Sequence, residues 1–476
     1  MESEPLLAAR RSRWPEVVSA LVACVAPLSG GMAHGFSSPA IPELERAPAE
    51  GGLGLSGEQL SRFAAALTLG AVLGGPLAAL LLDRCGRKLT LMLSALPLNV
   101  GWLLLVSATS STVWLLHVSR VVIGLGVGMG SAVAPVYISE IASVELRGRL
   151  GACFQACIML GLLLAYLLGV ALRYAWLAVL SSLVAALLPL LVVALRVAET
   201  PRWLVSRQQH DRATAAIQRL RNYRQLHQAE QDCAVLRANM SEQRARAAWR
   251  DLLHDAGVRK AVTLSLLCML GQQLSGMNAL AFYAQPVLLE AGFGALAGLM
   301  SVLLAAVVTL ATIASSFVLD RLGRRRMLVI SGLVMCVSCA AFGAYSLAAA
   351  NHAAAAQQWW MKAAAFVSLA CYVSGFALGW GPAPWVIMSE ILPNEWRGRG
   401  SSLATSVNWL CAFLVVRGFH LLQTSISTGG AFLLFSGLNF AAAVFALACV
   451  PETKGKSLEE IQRFLYGTTA AAAAAL

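Results

Sequence analysis

The chain carries the same charged islands twice, in the same order, within an otherwise oily sequence. Asp83-Arg84-Cys85-Gly86-Arg87-Lys88 returns as Asp320-Arg321-Leu322-Gly323-Arg324-Arg325. Ser139-Glu140-Ile141, with Arg147-Gly148-Arg149 beyond it, returns as Ser389-Glu390-Ile391 with Arg397-Gly398-Arg399, at the same Glu-to-Arg spacing. A third pair is Glu199-Thr200-Pro201-Arg202 and Glu452-Thr453-Lys454. Such a chain is two halves built on one plan. In membrane proteins, repeats of this kind most often place a site between the halves.

A membrane setting follows from charge. Only 13% of the 476 residues are charged and 58% are hydrophobic, against about 25% charged in soluble domains. Most of the surface must therefore face lipid. Apolar runs long enough to cross about 30 Å of hydrocarbon recur near 15–36, 60–82, 89–107, 113–136, 148–170, 174–195, 258–283, 297–319, 327–349, 362–388, 398–422 and 428–450. The runs are continuous rather than alternating, which predicts helices and not a barrel. The expected architecture is an all-α membrane protein with twelve transmembrane helices in two pseudo-symmetric six-helix halves. A polar tail (1–14) precedes the first half (15–195). A helical linker (196–257) leads to the second half (258–450) and a tail (451–476), with linker helices expected near 207–221 and 228–250. Lys and Arg concentrate at 84–88, 147–149, 202–260, 321–326 and 397–399, while 37–59, 284–296 and 350–361 are almost free of them. The positive-inside rule places the basic loops, the linker and both termini in the cytosol. The net charge of +12 then describes a membrane face and calls for no nucleic acid. None of the 11 cysteines falls in a loop placed outside, so no disulfide is expected.

The islands suggest a gate. Each glycine permits a tight turn between the second and third helices of its half, and each Ser-Glu-Ile lies where the fourth helix turns into the fifth. Acids and bases of both halves meet on one face, where ion pairs between the halves would hold it shut. The cytosolic gate candidates are Asp83, Arg84, Arg87, Glu140, Arg147, Glu199, Arg202, Asp320, Arg321, Arg324, Arg325, Glu390, Arg397 and Glu452. The alternative is that these charges fix topology only.

Charge inside the bilayer is costly, and the spans avoid it: no Asp or Glu lies in 84–139, 146–198, 321–389 or 396–451. They carry neutral amides instead: Gln155 in the fifth span, Gln272, Gln273 and Asn278 in the seventh, Asn408 in the eleventh. An amide offers donor and acceptor together, which suits a neutral polyhydroxy ligand. Ser275-Gly276 can loosen the seventh helix so that its amides converge on one cavity, with Tyr283 above as an outer lid. The tenth span holds Gly379-Trp380-Gly381-Pro382-Ala383-Pro384-Trp385, a broken helix of the kind tolerated beside a cavity, and Trp385 would offer an aromatic face. The alternative for each amide is a plain hydrogen bond between helices. No nucleophile–base set, metal cluster or phosphate loop is present, so no enzyme, metal or cofactor chemistry is expected.

The stretch GQQLSGMN, the GWGPAPW run, Asn408-Trp409, both Asp-Arg-x-Gly-Arg islands, Glu199-Thr200-Pro201-Arg202 and Pro451-Glu452-Thr453-Lys454-Gly455 resemble the sugar porter family of the major facilitator superfamily. More narrowly the chain is similar to the facilitative glucose transporters. Pro135-Val136-Tyr137-Ile138-Ser139-Glu140-Ile141 and Ser37-Ser38-Pro39-Ala40-Ile41-Pro42 fit its intracellular branch, represented by glucose transporters 6 and 8. The resemblance implies the major facilitator fold and a hexose substrate contacted by Gln155, Gln272, Gln273, Asn278, Trp385 and Phe376, with Asn408 beside them. It implies Tyr283 as outer gate and the islands as inner lock, with Arg120 part of the same pattern. Two departures are Val308, where many relatives carry an amide, and Ala377, where many carry a glutamate. Proton-driven relatives place an aspartate in the first helix, and Ala33 stands at the matching position; uniport is the simpler expectation, with His34 as an alternative proton carrier. Glu2-Ser3-Glu4-Pro5-Leu6-Leu7 resembles an acidic dileucine signal. Glu2, Leu6 and Leu7 would engage clathrin adaptors and send the protein to endosomes, lysosomes or other vesicles. The expected function is a facilitative hexose uniporter working by alternating access; a proton-coupled symporter and a sugar sensor are the competing readings.

Overall fold

A computed structural model describes residues 13–242, 255–351, 358–393 and 396–454. Helices dominate it from end to end. The first half contains α1 (Trp14–Ala23), α2 (Val25–Gly35), α3 (Ser37–Glu45), α4 (Gly57–Cys85), α5 (Arg87–Val106), α6 (Val113–Ile141), α7 (Val144–Ala171) and α8 (Tyr174–Ala194). Three short helices follow: α9 (Pro201–Ser206), α10 (His210–Arg221) and α11 (Leu226–Glu242). The second half contains α12 (Ala256–Leu274), α13 (Met277–Leu288), α14 (Ala297–Leu322), α15 (Arg324–Asn351), α16 (Trp359–Leu378), α17 (Ala383–Ile391) and α18 (Arg397–Cys449).

Among the described residues, ten apolar helical stretches are long enough to cross a membrane. Two of them, of 60 and 51 residues, would extend about 90 and 75 Å at 1.5 Å per residue, more than twice the hydrocarbon core. Each therefore crosses twice. The first reverses through a short π and 3-10 segment at 289–296, and the second turns at Ser427, with φ 69°. Twelve crossings result, as the pattern of apolar runs predicts. Their outer surfaces suit lipid: on α8, Leu183, Leu187 and Leu190 are all exposed.

The structure corrects some boundaries. The first crossing continues through α3 to Glu45, into the stretch read as an outer loop, with Pro42 held inside the helix without ending it. The fifth crossing starts at Val144, so Arg147 lies inside α7 and not in the turn before it. In the linker, α10 matches its expected helix, and α11 ends the described part at Glu242. The linker docks on the first half: Tyr137 Oη donates to the Ala198 carbonyl at 2.7 Å, and Arg221 pairs with the buried Glu16 at 2.7 Å. The halves meet where α4 packs on α18, α7 on α14, and α3 on α13.

Candidate functional site

The two charged islands build the same device twice. Gly86 and Gly323 take φ of 88° and 91°, a left-handed region that only glycine enters without strain. A carboxylate sits against each glycine and receives the first N–H groups of the next helix, which favour negative charge. Glu199 accepts from Arg87 N and Lys88 N, both at 3.1 Å, and Glu452 accepts from Arg324 N at 3.0 Å. A side chain at Gly86 would collide with Glu199 Oε2. Burial pushes the Glu199 carboxyl up, against the N–H groups of Thr200, Lys88 and Arg87 that favour its ionised form. Arg87 pairs with Glu140 at 2.8 Å and Arg324 with Glu390 at 3.1 Å.

These pairs run within each half. For these residues the expected ion pairs between halves are not the ones formed: in this conformation each described network ties its own four helix ends together. Asp83 and Arg84 act through their carbonyls, which accept from Arg207 Nη2 at 2.6 and 3.2 Å. Lys454 Nζ reaches the Arg321 carbonyl at 2.5 Å, and Arg325 donates to the Leu447 carbonyl. Arg202 is exposed at the start of α9. The side chains of Arg147, Asp320 and Arg397 lie outside the described residues, as do Glu2, Leu6 and Leu7. The copies differ in one respect. Thr200 Oγ1 donates to Glu140 Oε2 at 2.6 Å, whereas Thr453 Oγ1 and Glu390 Oε2 are buried without partners.

Halfway through the seventh crossing, Gly276 adopts φ 88° and separates α12 from α13. The amides gather around this break. Gln273 Nε2 donates to Asn408 Oδ1 at 3.0 Å, Asn408 Nδ2 to Gln272 Oε1 at 2.8 Å, and Asn278 Nδ2 to Gln273 Oε1 at 2.6 Å. Gln272 Nε2 donates to the Trp380 and Gly381 carbonyls at 3.0 and 2.6 Å. The reason lies in the tenth crossing. A helical Trp380 carbonyl would take the N–H of residue 384, and Pro384 has none; Gln272 supplies the missing donor. Both N–H groups of Gln272 are thus engaged, leaving it an acceptor lone pair only. Asn278 is partly exposed, and its Oδ1 takes no hydrogen bond among the described residues. Gln155, on α7, is also partly exposed and makes no hydrogen bond among the described residues. Phe376 and Trp385 are half-buried. Trp380 is fully buried, with its indole N–H on the Leu328 carbonyl at 3.0 Å; it braces the break and offers no open ring face.

Two groups noted in the sequence, His34 and Arg120, find partners here that it does not show. The His34 ring of α2 lies 5.5 Å from Phe282 and 5.6 Å from Trp409, so it bridges the halves beside the amides. Its Nδ1 meets the Gly30 carbonyl at 2.8 Å; a carbonyl only accepts, so Nδ1 carries a proton. Arg120 is fully buried and donates to the Ala33 carbonyl at 3.0 Å and to Ser37 Oγ at 2.6 Å. Its guanidinium lies over Phe63, 4.9 Å from the ring centre, and meets no carboxylate among the described residues.

The halves are tied at the face opposite the islands. Arg417 donates to Ser61 Oγ at 2.9 Å and to the Glu58 carboxylate. Ser38 Oγ accepts from Gln285 N at 2.9 Å, and Tyr166 Oη donates to the Ala281 carbonyl at 2.5 Å. Tyr283 is buried at this level, 5.4 Å from Phe419 between ring centres, with backbone angles that interrupt α13. Groups of both halves thus meet on this side, while the island face has no such tie among the described hydrogen bonds.

The family model described as "Sugar (and other) transporter" matches residues 20–465. The chain belongs to this sugar transporter family. It is similar to the Bos taurus solute carrier family 2, facilitated glucose transporter member 8, with 39% identity covering 98% of each chain. It is also similar to the facilitated trehalose transporter Tret1 of Bombyx mori, at 33% identity over 94% of this chain and 86% of that one. Among solved structures, the partially occluded inward-open xylose transporter XylE from E. coli superposes with TM-score 0.77, covering 93% of this chain and 99% of that chain at 24% identity; this likeness speaks for the fold. The protein is accordingly a multi-pass membrane sugar transporter of the major facilitator fold, not an enzyme.

Proposed function

We propose that this sugar transporter is a facilitative hexose uniporter working by alternating access between its halves. The observation that carries the reading is the amide cluster at the Gly276 break. Asn278 Oδ1 and the whole amide of Gln155 remain open to a ligand, and all the groups are neutral, which suits uncharged hydroxyls. Gln273, Asn408, Phe376 and Trp385 complete the binding surface, with Gln272 holding the tenth helix in place. Tyr283 and the Glu58–Arg417 pair close the outer side, and the island face opens to the cytosol. Uniport is supported by Arg120, a buried cation with no carboxylate beside it on which a coupled proton could travel. The basic loops argue for cytosolic termini. The resemblance to an intracellular glucose transporter and the Glu-x-x-x-Leu-Leu tail argue for residence in intracellular vesicles through clathrin adaptors.

The test is labelled glucose, fructose and trehalose flux into proteoliposomes of the purified protein, at equal pH and across a pH gradient. Saturable hexose flux at equal pH, with a raised KM in Asn278→Ala, is the expected result. Uphill accumulation only with a proton gradient would replace the uniporter by a symporter. Trehalose flux without hexose flux would move the substrate to a disaccharide, a reading that the Bombyx relative brings with it.

A further inference from the structure

A groove of about 290 Å³ runs between α15 and α16 on the outer wall of the second half. It is separate from the amide cluster. Met327, Ile330 and Val334 line one side, and Val367, Cys371 and Ser374 the other. Ile330 and Val367 are about half exposed, and Cys371 is exposed, so the groove opens sideways onto hydrocarbon.

Its walls offer nothing to a polar ligand. Ser331 Oγ donates to the Gly375 carbonyl at 2.6 Å and accepts from Trp380 N at 3.2 Å. Ser374 Oγ donates to the Ala370 carbonyl at 2.7 Å. Both hydroxyls are turned inward onto the backbone, and the remaining lining is aliphatic or sulfur. Along α16 the lining extends from Val367 to Leu378, about 16 Å at 1.5 Å per residue. That is half of a bilayer core, the reach of one tail from one leaflet.

The charge at its mouth selects the leaflet and the headgroup. Arg326, Ile330 and Val334 follow one another at four-residue steps, so they form one stripe along α15. Arg326 sits in the first turn of that helix, on the island face, and is exposed. Its neighbours are committed elsewhere, Arg324 to Glu390 and Arg325 to the Leu447 carbonyl. A basic side chain at headgroup depth above an apolar slot matches an anionic phospholipid in both of its parts.

We propose that the groove between α15 and α16 binds an acyl chain of an anionic phospholipid from the island-face leaflet, with its phosphate held by Arg326. The back wall of the slot is the Ser331–Gly375–Trp380 linkage, so the bound tail packs behind the break of the tenth crossing.

The test uses the full-length protein in phosphatidylcholine nanodiscs doped with phosphatidylserine that carries a diazirine in one acyl chain, or with the matching phosphatidylcholine probe. After illumination, adducts are mapped by mass spectrometry. The serine lipid is expected to label 327–334 and 367–378 about fivefold more than the choline lipid, the factor that one basic residue near the surface contributes. Arg326→Gln should abolish that preference, and Ala370→Trp, which fills the slot, should abolish labelling there by both lipids. Arg326 is exposed, so its variant remains informative where Ala370→Trp does not fold. Equal labelling by the two headgroups would overturn the proposal. So would adducts no denser in the groove than on the lipid-facing stripe of α8, or displacement of the phospholipid by a sterol.

Discussion

Gln272→Leu separates a structural amide from a ligand-binding one. The change keeps size and removes three hydrogen bonds: two to the Trp380 and Gly381 carbonyls and one from Asn408. Interhelical hydrogen bonds inside membrane bundles average about 0.6 kcal/mol, so the three sum to about 2 kcal/mol. The Trp380 carbonyl finds no replacement along its own helix, because residue 384 is proline. Asn408 Nδ2 keeps only Met269 Sδ, at 3.5 Å. A loss of about 2 kcal/mol is roughly a thirtyfold shift in the folding equilibrium, visible as earlier thermal unfolding in detergent. By contrast, Asn278→Ala removes one bond and an unengaged acceptor. Its expected signature is a KM raised about two- to tenfold, for a bond worth about 0.5–1.5 kcal/mol, with little change in melting. Melting curves and initial flux rates on both variants decide the matter. The reasoning fails if Gln272→Leu melts with the parent and raises KM more than Asn278→Ala does.

Three other outcomes follow from single contacts. Thr200→Val removes a hydrogen bond to a carboxylate, worth about 1.5–3 kcal/mol, and should destabilise; Thr453→Val removes a buried hydroxyl without a partner and should be neutral or stabilising, which thermal unfolding of the pair would check. Gly276→Ala forces a side chain into the left-handed region at a cost of about 1–2 kcal/mol and sets its Cβ 2.7 Å from the Phe435 ring, so both melting and flux should fall. Arg417→Gln and Glu58→Gln each break the tie at the face opposite the islands and should raise labelling, by a membrane-impermeant maleimide added to that face, of an Asn278→Cys probe; unchanged labelling would mean that the pair does not hold the halves together.

Much of this was legible because charge and polarity are scarce in a bilayer. Twelve crossings, the two-half plan and the amides could be read from the chain, since each polar residue in a span stands out against aliphatic neighbours. Gly276 was legible for the same kind of reason, as a small flexible residue inside a polar run. Pairing was not. Arg417 and Glu58 lie 359 positions apart, and nothing local marks them as partners. Ser37 and Ala33 gave no sign that they hold the Arg120 guanidinium. The role of Gln272 needed two distant facts together, a proline at 384 and the register that brings it opposite the seventh crossing. A duplicated island also has the same sequence signature whether its pairs close within a half or between halves, and only coordinates separate the two cases.

That distinction changes what the islands do. A rocking mechanism needs each half to move as a body, and a body of six helices joined by short turns must resist shear at its ends. The paired devices supply that resistance: a carboxylate caps the third helix of each half, an arginine from the same turn reaches the end of the fourth, and the glycine lets all three approach. Such networks are stronger than isolated surface pairs because they are partly buried and multiply bonded. The ties between halves are of another kind. Among the described residues they are one ion pair and several single hydrogen bonds, most of them near the opposite face and one, Thr309 Oγ1 to the Met159 carbonyl, midway. Each can be exchanged for water or for a bond on the other side at small net cost. Rigid halves with a weakly bonded seam are what an alternating-access cycle requires, since the two states must lie within a few kcal/mol of one another for a neutral ligand to shift the balance.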